Sequence, residues 1–202
     1  MAPSTMKIGV LALQGDFSLH IKALAGCGVQ TVEVRKPEEL EGLDGLIMPG
    51  GESTTLLKLM DEWGFVPALE KFHEAGKPIF GTCAGLILLA RDVASPHQAS
   101  LGFIDVDVER NAYGRQRESF AADGEVELDG ARHQLEMVFI RAPRIRRVGA
   151  GVVTLARCGD EPVMAQEGTV LVATFHPELT TDASIHQYFC RMVASAAGKN
   201  GV

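Results

Sequence analysis

The sequence predicts an α/β protein: a doubly wound, mostly parallel central sheet with helices on both faces, continued by an antiparallel strand extension. Three observations carry this. Apolar runs of four to six residues, rather than alternating ones, mark strands covered on both faces. Up to Ala90 such runs alternate with segments of helical periodicity, as right-handed crossovers of a parallel sheet require. Beyond Ala90 the stretches "GFIDVDVERN", "GEVELDG", "EMVFIRAP", "GVVTLARCG", "PVMAQEG" and "VLVATFHPEL" follow one another across turn residues, with little helical periodicity before Asp182.

Taken in order, residues 7–13 read as a strand, 16–25 as a helix, 29–34 as a strand and 45–48 as a short buried strand. Residues 53–63 carry apolar side chains at helical spacing behind Ser53 or Thr54 as a cap. Residues 65–75 continue as helix past the break at Gly64 and Pro67, and 78–82 form the next strand, leading into an apolar, helix-like run up to Ala90. Residues 170–175 are expected to return to the centre of the sheet before a closing helix at 182–195. No repeat, low-complexity tract or linker interrupts the chain, so residues 1–202 read as one domain, with 1–5 a disordered extension.

Composition excludes several classes. At 202 residues a single domain buries about 70% of its unfolded surface and needs no metal or disulfide for stability. A net charge of −7 leaves no basic footprint for nucleic acid. The longest apolar runs fall well short of the ~20 residues of a membrane-spanning helix, and the N-terminus lacks the charged-then-apolar pattern of an export signal. Cys27, Cys83, Cys158 and Cys190 are far apart, without CxxC or metal-ligand spacing, which points to a reducing compartment, the cytoplasm, and to no metal or cofactor. His20, His73, His97, His133 and His186 are scattered and read as surface or packing residues.

The chemistry is carried by "PIFGTCAGLILLA", residues 78–90. Where a strand turns abruptly into a helix, the turn residue is thrust from the sheet edge, and crowding around it excludes β-carbons two positions to either side. Gly81 and Gly85 occupy those positions around Cys83, giving the G-x-nucleophile-x-G elbow with cysteine as nucleophile. A thiol at a helix N-terminus is biased toward thiolate by the macrodipole. A cysteine nucleophile needs a base, and the base needs an orienting group. "FHPEL" supplies both: Pro177 pushes His176 toward extended backbone, where Glu178, two residues on, projects to the same side. The carboxylate then fixes the imidazole tautomer and stabilises the imidazolium. In "LIMPGGEST" two glycines follow a strand and free the backbone before a capped helix. Neither GxGxxG nor GxxxxGK[ST] is present, so an oxyanion hole fits better than a phosphate cradle, with the N–H groups of Gly51 and Ala84 as donors.

With these residues placed, the chain resembles the class I, triad-type glutamine amidotransferases, whose sheet is flavodoxin-like. More narrowly it resembles their branch of glutaminase subunits of pyridoxal 5′-phosphate synthase. "KIGVLALQGDFSLH", "PGGESTTLLKLM", "GKPIFGTCAGLILLA", "VERNAYGRQRESF", "VFIRAP" and "FHPELTTD" carry the likeness from Lys7 onward. The resemblance implies Cys83, His176 and Glu178 as catalytic triad, with Gly51, Glu52, Ser53, Arg110, Ile140 and Arg141 holding L-glutamine. A guanidinium at Arg110 suits a carboxylate because it can bind it through two hydrogen bonds. It further implies hydrolysis to glutamate and ammonia through a cysteine thioester, delivery of the ammonia to a separate synthase subunit, and Gln14 and Gly15 as the link between activity and assembly. The alternatives are a γ-glutamyl hydrolase or cysteine peptidase on the same scaffold, and a non-enzymatic subunit with an idle triad.

Overall fold

Period-two burial along the central strands sets the architecture. In β3 (Gly45–Met48) every residue is buried, yet Leu46 and Met48 join one apolar cluster and Ile47 the other. The structure, a computed structural model, describes residues 5–110 and 119–199. In chain order its elements are β1 (Lys7–Leu11), α1 (Phe17–Leu24), β2 (Gln30–Val34), β3, α2 (Ser53–Glu62), α3 (Phe65–Glu74), β4 (Ile79–Thr82), α4 (Ala84–Leu89), β5 (Ala90–Ala94), β6 (Ile104–Glu109), β7 (Ser119–Leu128), β8 (Ala131–Ile140), β9 (Arg144–Val148), β10 (Val153–Cys158), β11 (Glu161–Glu167), β12 (Val170–Ala173) and α5 (Ser184–Lys199).

The main sheet runs β2-β1-β3-β4-β12-β11-β10-β7-β8. Its first five strands pair parallel, and from β12 to β8 every pair is antiparallel. This is the doubly wound α/β sheet with an antiparallel extension that the sequence predicts, and β12 lies at its middle, between β4 and β11. One face packs Leu46, Ile79 and Val170 against α2, α3 and α4, through Leu56, Leu69 and Leu86. The other packs Ile47, Phe80 and Leu171 against α1 and α5, through Leu24, Phe189 and Val193. Burying a Leu, Phe or Val side chain from water contributes ~1.5–3 kcal/mol each, so alternation along the strands drives both layers together.

Three readings need correction. The first strand stops at Leu11, where the chain breaks into the turn that carries Gln14 and Gly15. The apolar run after Cys83 is helical only to Leu89, and Ala90 opens β5. That strand, with β6 and β9, forms a separate three-stranded sheet, in the order β5-β6-β9, that the sequence reading did not separate from the main one. Leu86, Leu89, Ala90 and Val93 are all buried at spacings of three and four, so the apolar pattern of β5 continues a helix as well as it begins a strand. Most of "ERNAYGRQ" and of the N-terminal extension lies outside the described residues.

Candidate active site

Cys83 sits between the last residue of β4 and the first of α4 with φ 48° and ψ −101°, left-handed backbone that a non-glycine residue adopts at a cost of about 1–3 kcal/mol. Its own N–H donates to the Ala173 carbonyl at 2.9 Å, pinning the kink to the end of β12. The flanking glycines are there because nothing larger fits. A β-carbon on Gly85 would stand 2.0 Å from the Met48 carbonyl oxygen, and one on Gly81 would meet the Gly85 backbone at 2.7 Å. The sulfur is less exposed than the elbow suggests: Cys83 is 7% accessible and opens onto a cavity of about 330 Å³. Its thiol lies 3.9 Å from the Ile140 carbonyl at the end of β8.

His176 follows β12 and reaches the same cavity, its N–H donating to the Val138 carbonyl of β8 at 2.8 Å. Gly50 fills the space alongside: a β-carbon there would lie 2.5 Å from His176 Cε1 and 3.4 Å from Cys83 Cβ. His176 Nδ1 is 2.8 Å from Glu178 Oε1. The sequence reading obtains this pairing from extended backbone. Instead, Pro177–Leu179 is a 3₁₀ turn with proline at its start, and the coil of the chain, not strand alternation, brings the carboxylate back to the ring.

The electrostatics follow from burial opposed by close charge. Burial lowers the His176 pKa, but the adjacent Cys83 and Glu178 outweigh it and raise the imidazole to about 10. Burial raises the Glu178 carboxyl, but His20 and His176 outweigh it and hold the group well below the usual carboxylate range. His176 Nε2 is buried and has no hydrogen-bond partner among the described residues, so its valence is available at the cavity side of the pair.

Sequence reasoning missed His20 and His186, both fully buried behind Glu178. His20 Nε2 lies 3.4 Å from Glu178 Oε2 and 3.2 Å from Thr82 Oγ1, and His20 Nδ1 lies 3.0 Å from His186 Nε2. A signal existed: His20 stands four residues before Leu24 on α1, on the face that the sheet covers, and a buried imidazole needs partners.

The glycine-rich loop completes the rim. Gln14 Oε1 accepts the Glu52 N–H at 2.9 Å, and Gly15, at φ 95°, passes so close that a β-carbon would lie 1.8 Å from the Gly50 carbonyl oxygen. The cap of α2 is Glu52 rather than Ser53 or Thr54. Its carboxylate accepts the N–H groups of Thr54 and Thr55 at 3.1 and 2.7 Å, and hydrogen bonds from Thr55 and Thr54 outweigh slight burial to hold its pKa at about 2. Ser53 is the first helical residue, and its hydroxyl donates to Gln98 Oε1 at 3.0 Å. Arg110 donates through Nη2 to Thr54 Oγ1 at 2.9 Å and lies 3.5 Å from Glu52 Oε1. The cavity is lined by Gln14, Gly15, Gly51, Glu52, Ser53, Cys83, Arg110, Ile140, Arg141 and His176 among others. Ala84, fully buried beside Cys83, heads α4, so its N–H has no acceptor within the helix. Among the described residues no cluster of three or more His, Cys, Asp or Glu side chains could hold a metal ion.

Residues 10–195 match the SNO glutamine amidotransferase family. The chain belongs to that family. Within it, the chain is 53% identical over 195 residues to the pyridoxal 5′-phosphate synthase subunit PdxT of Pelotomaculum thermopropionicum, covering 96% of this chain and 98% of that one. The PdxT subunit of Geobacillus kaustophilus is 52% identical over 191 residues, covering 95% and 96%. A crystal structure of a glutamine amidotransferase superposes with a TM-score of 0.86 at 51% identity, covering 93% of this amidotransferase chain and 98% of the other. A putative GMP synthase component from Thermoplasma acidophilum, at 18% identity and a TM-score of 0.70, covers 98% of each chain and shares the fold.

Proposed function

We propose that this chain is the glutaminase subunit of a pyridoxal 5′-phosphate synthase: it hydrolyses L-glutamine to L-glutamate and ammonia and passes the ammonia to a synthase subunit. The observation that carries the reading is Cys83, strained at the mouth of α4, sharing one cavity with the His176–Glu178 pair in a chain with PdxT relatives at about half identity. At about 330 Å³ the cavity is at the small end of ligand sites and suits one free amino acid rather than a peptide.

In this mechanism the Cys83 thiolate attacks the side-chain amide carbon of glutamine, forming the S–C bond while the carbonyl oxygen becomes an oxyanion. The N–H groups of Gly51 and Ala84 stabilise that oxygen. His176, held as imidazolium by Glu178, gives its Nε2 proton to the departing nitrogen as the C–N bond breaks and ammonia leaves. Neutral His176 then takes a proton from water, whose oxygen attacks the γ-glutamyl thioester, and collapse returns the thiolate and glutamate. Glu52, Ser53, Arg110, Ile140 and Arg141 surround the amino-acid end of the substrate. Gln14 and Gly15 couple the oxyanion loop to the synthase, supported by the Gln14 bond to the Glu52 N–H and by the fit of Gly15 against Gly50.

No metal or cofactor enters these steps. The reading treats residues 1–202 as one amidotransferase domain, supported by the insertion of β12 beside β4. It also places the reaction in the cytoplasm: all four cysteines are free, and no helix among the described residues is long and apolar enough to cross a membrane. The test is glutamate release from glutamine, from γ-glutamyl conjugates and from peptides, with and without the synthase subunit. Release from glutamine alone, enhanced by the synthase and absent in Cys83→Ala, is the expected result. Turnover of conjugates or peptides in preference to glutamine, or an active Cys83→Ala protein, would overturn the assignment.

A further inference from the structure

Behind the triad lies a buried polar chain that the mechanism above does not use. His20 projects from α1 and His186 from α5, their ring centroids 5.2 Å apart, with Phe80 edge-on to both. Each is fully inaccessible to solvent. The titratable groups facing His20 are His186 on α5 and Glu178 in the 3₁₀ turn, with His176 beyond Glu178, while Thr82 on β4 contributes a hydroxyl.

Proton positions follow from counting. A neutral imidazole has one N–H and one bare nitrogen. Burial pushes the His186 pKa down to about 3, so His186 is neutral near pH 7. Its Nδ1 is buried and has no partner among the described residues. A stranded buried N–H is costly, and orphaned donors are rarer than under-satisfied acceptors. The His186 proton therefore sits on Nε2 and is donated to His20 Nδ1, 3.0 Å away. His20 Nδ1 is then an acceptor, and the His20 proton sits on Nε2, facing Thr82 Oγ1 at 3.2 Å and Glu178 Oε2 at 3.4 Å. Glu178 Oε2 is itself buried and has no hydrogen-bond partner among the described residues, so the His20 N–H, 3.4 Å away, faces it as an electrostatic contact rather than a formed hydrogen bond.

We propose that His20 is a positioning residue for the triad: its Nε2–H restrains the outer oxygen of Glu178, so that the carboxylate keeps its inner oxygen on His176 Nδ1 through turnover, and His186 fixes the His20 tautomer. Without that restraint Glu178 can rotate about its terminal torsion, and each rotation leaves the His176 cation without its partner. Thr82 adjoins Cys83 in the chain, so the same imidazole also ties the nucleophile's strand to the turn that carries the base. This inference rests on the reading of Cys83, His176 and Glu178 as the triad.

The test compares His20→Leu with His20→Gln, whose amide N–H reaches the position of the imidazole Nε2, by glutaminase kinetics across pH with the synthase subunit present. His20→Leu should lose about ten- to a hundredfold in kcat with KM little changed, the effect of removing one polar partner from a buried charged group. The alkaline limb of its pH profile should move to lower pH, because His176 then holds its proton less firmly. His20→Gln should recover most of the rate and return the limb. A His20→Leu protein with undiminished kcat, one with lowered kcat and an unmoved limb, or a His20→Gln protein as impaired as His20→Leu would overturn the proposal. Should the leucine variant fail to fold, nitrogen-15 NMR of the unmodified protein decides: the Nε2–H tautomer of His20 supports the proposal, and the Nδ1–H or doubly protonated form overturns it. Cys83→Ala separates the two readings. If it still hydrolyses glutamine, the triad assignment fails and this inference with it. If it is inactive while His20→Leu is undiminished, only this inference fails.

Discussion

The Nδ1 atom of His176 and the Oε1 atom of Glu178 stand 2.8 Å apart with their side chains 4% and 0% exposed, an ion pair almost wholly withdrawn from water. Such a pair stabilises both charges together and leaves either one stranded if its partner is removed. Glu178→Gln keeps the shape and removes the charge, so His176 loses much of its hold on a proton. The expected result in steady-state kinetics is a fall in kcat of about 10²–10⁴-fold with a small change in KM.

Cys83 and His176 should also report on each other at equilibrium. Cys83 is the strongest of the neighbours that raise His176 toward about 10, so Cys83→Ala should bring the His176 pKa down toward its ordinary 6.5. Titration of the His176 Cε1 proton by NMR measures this directly. An unchanged value in Cys83→Ala would mean that Glu178 alone holds the proton.

Stability should follow the same pair. His176 has a raised folded pKa, so its contribution is fully present below 6.5 and is lost as pH climbs through about 10. Glu178 has a depressed folded pKa, so its contribution is present above 4.5 and is lost in acid. Urea midpoints recorded from pH 5 to beyond 10 should be level at first and fall on the alkaline side, and in Glu178→Gln the fall should begin at lower pH.

Gly85→Ala tests the elbow's geometry without touching a charged group. Its new methyl meets a backbone oxygen that cannot swing aside, so about 1–3 kcal/mol of stability should be lost, read from chemical denaturation. Activity should fall further than stability explains, because relief of the clash displaces Cys83 from His176.

Glu52→Ala should cost about 0.5–2 kcal/mol of stability at neutral pH by removing the cap of α2. The carboxylate is half-exposed, so the smaller figure applies in salt. With a folded pKa of about 2, the cap is intact above 4.5 and lost as pH falls through 2. The gap between the Tm of the variant and that of the parent should therefore close in strong acid.

What could be read from the chain divides along physical lines. Glycines two residues either side of Cys83 announce the elbow because crowding of backbone on backbone leaves a trace in composition. The central place of Val170–Ala173 was legible because a strand buried on both faces is apolar throughout. Glu52 as cap was hidden because Ser53 and Thr54, residue types that commonly cap helices, stand directly after it and only the backbone dihedrals show that the helix begins at Ser53. The short sheet of β5, β6 and β9 was hidden because Ala90 and Val93 suit a helix equally. His20 and His186 escaped because they lie 166 residues apart, and only the packing of α1 against α5 makes them neighbours.

The pairing of β12 with β4 has a consequence for how the protein comes into being. During synthesis a chain that ends before β12 already holds the cysteine loop, but the carbonyl of Ala173 that anchors it has not been made, and the imidazole follows later still. A parallel pairing across so long a loop forms late, after its closure entropy has been met. Under the mechanism proposed above, chemical competence thus arrives together with the final architecture, and truncated or half-folded chains carry a cysteine that cannot squander glutamine.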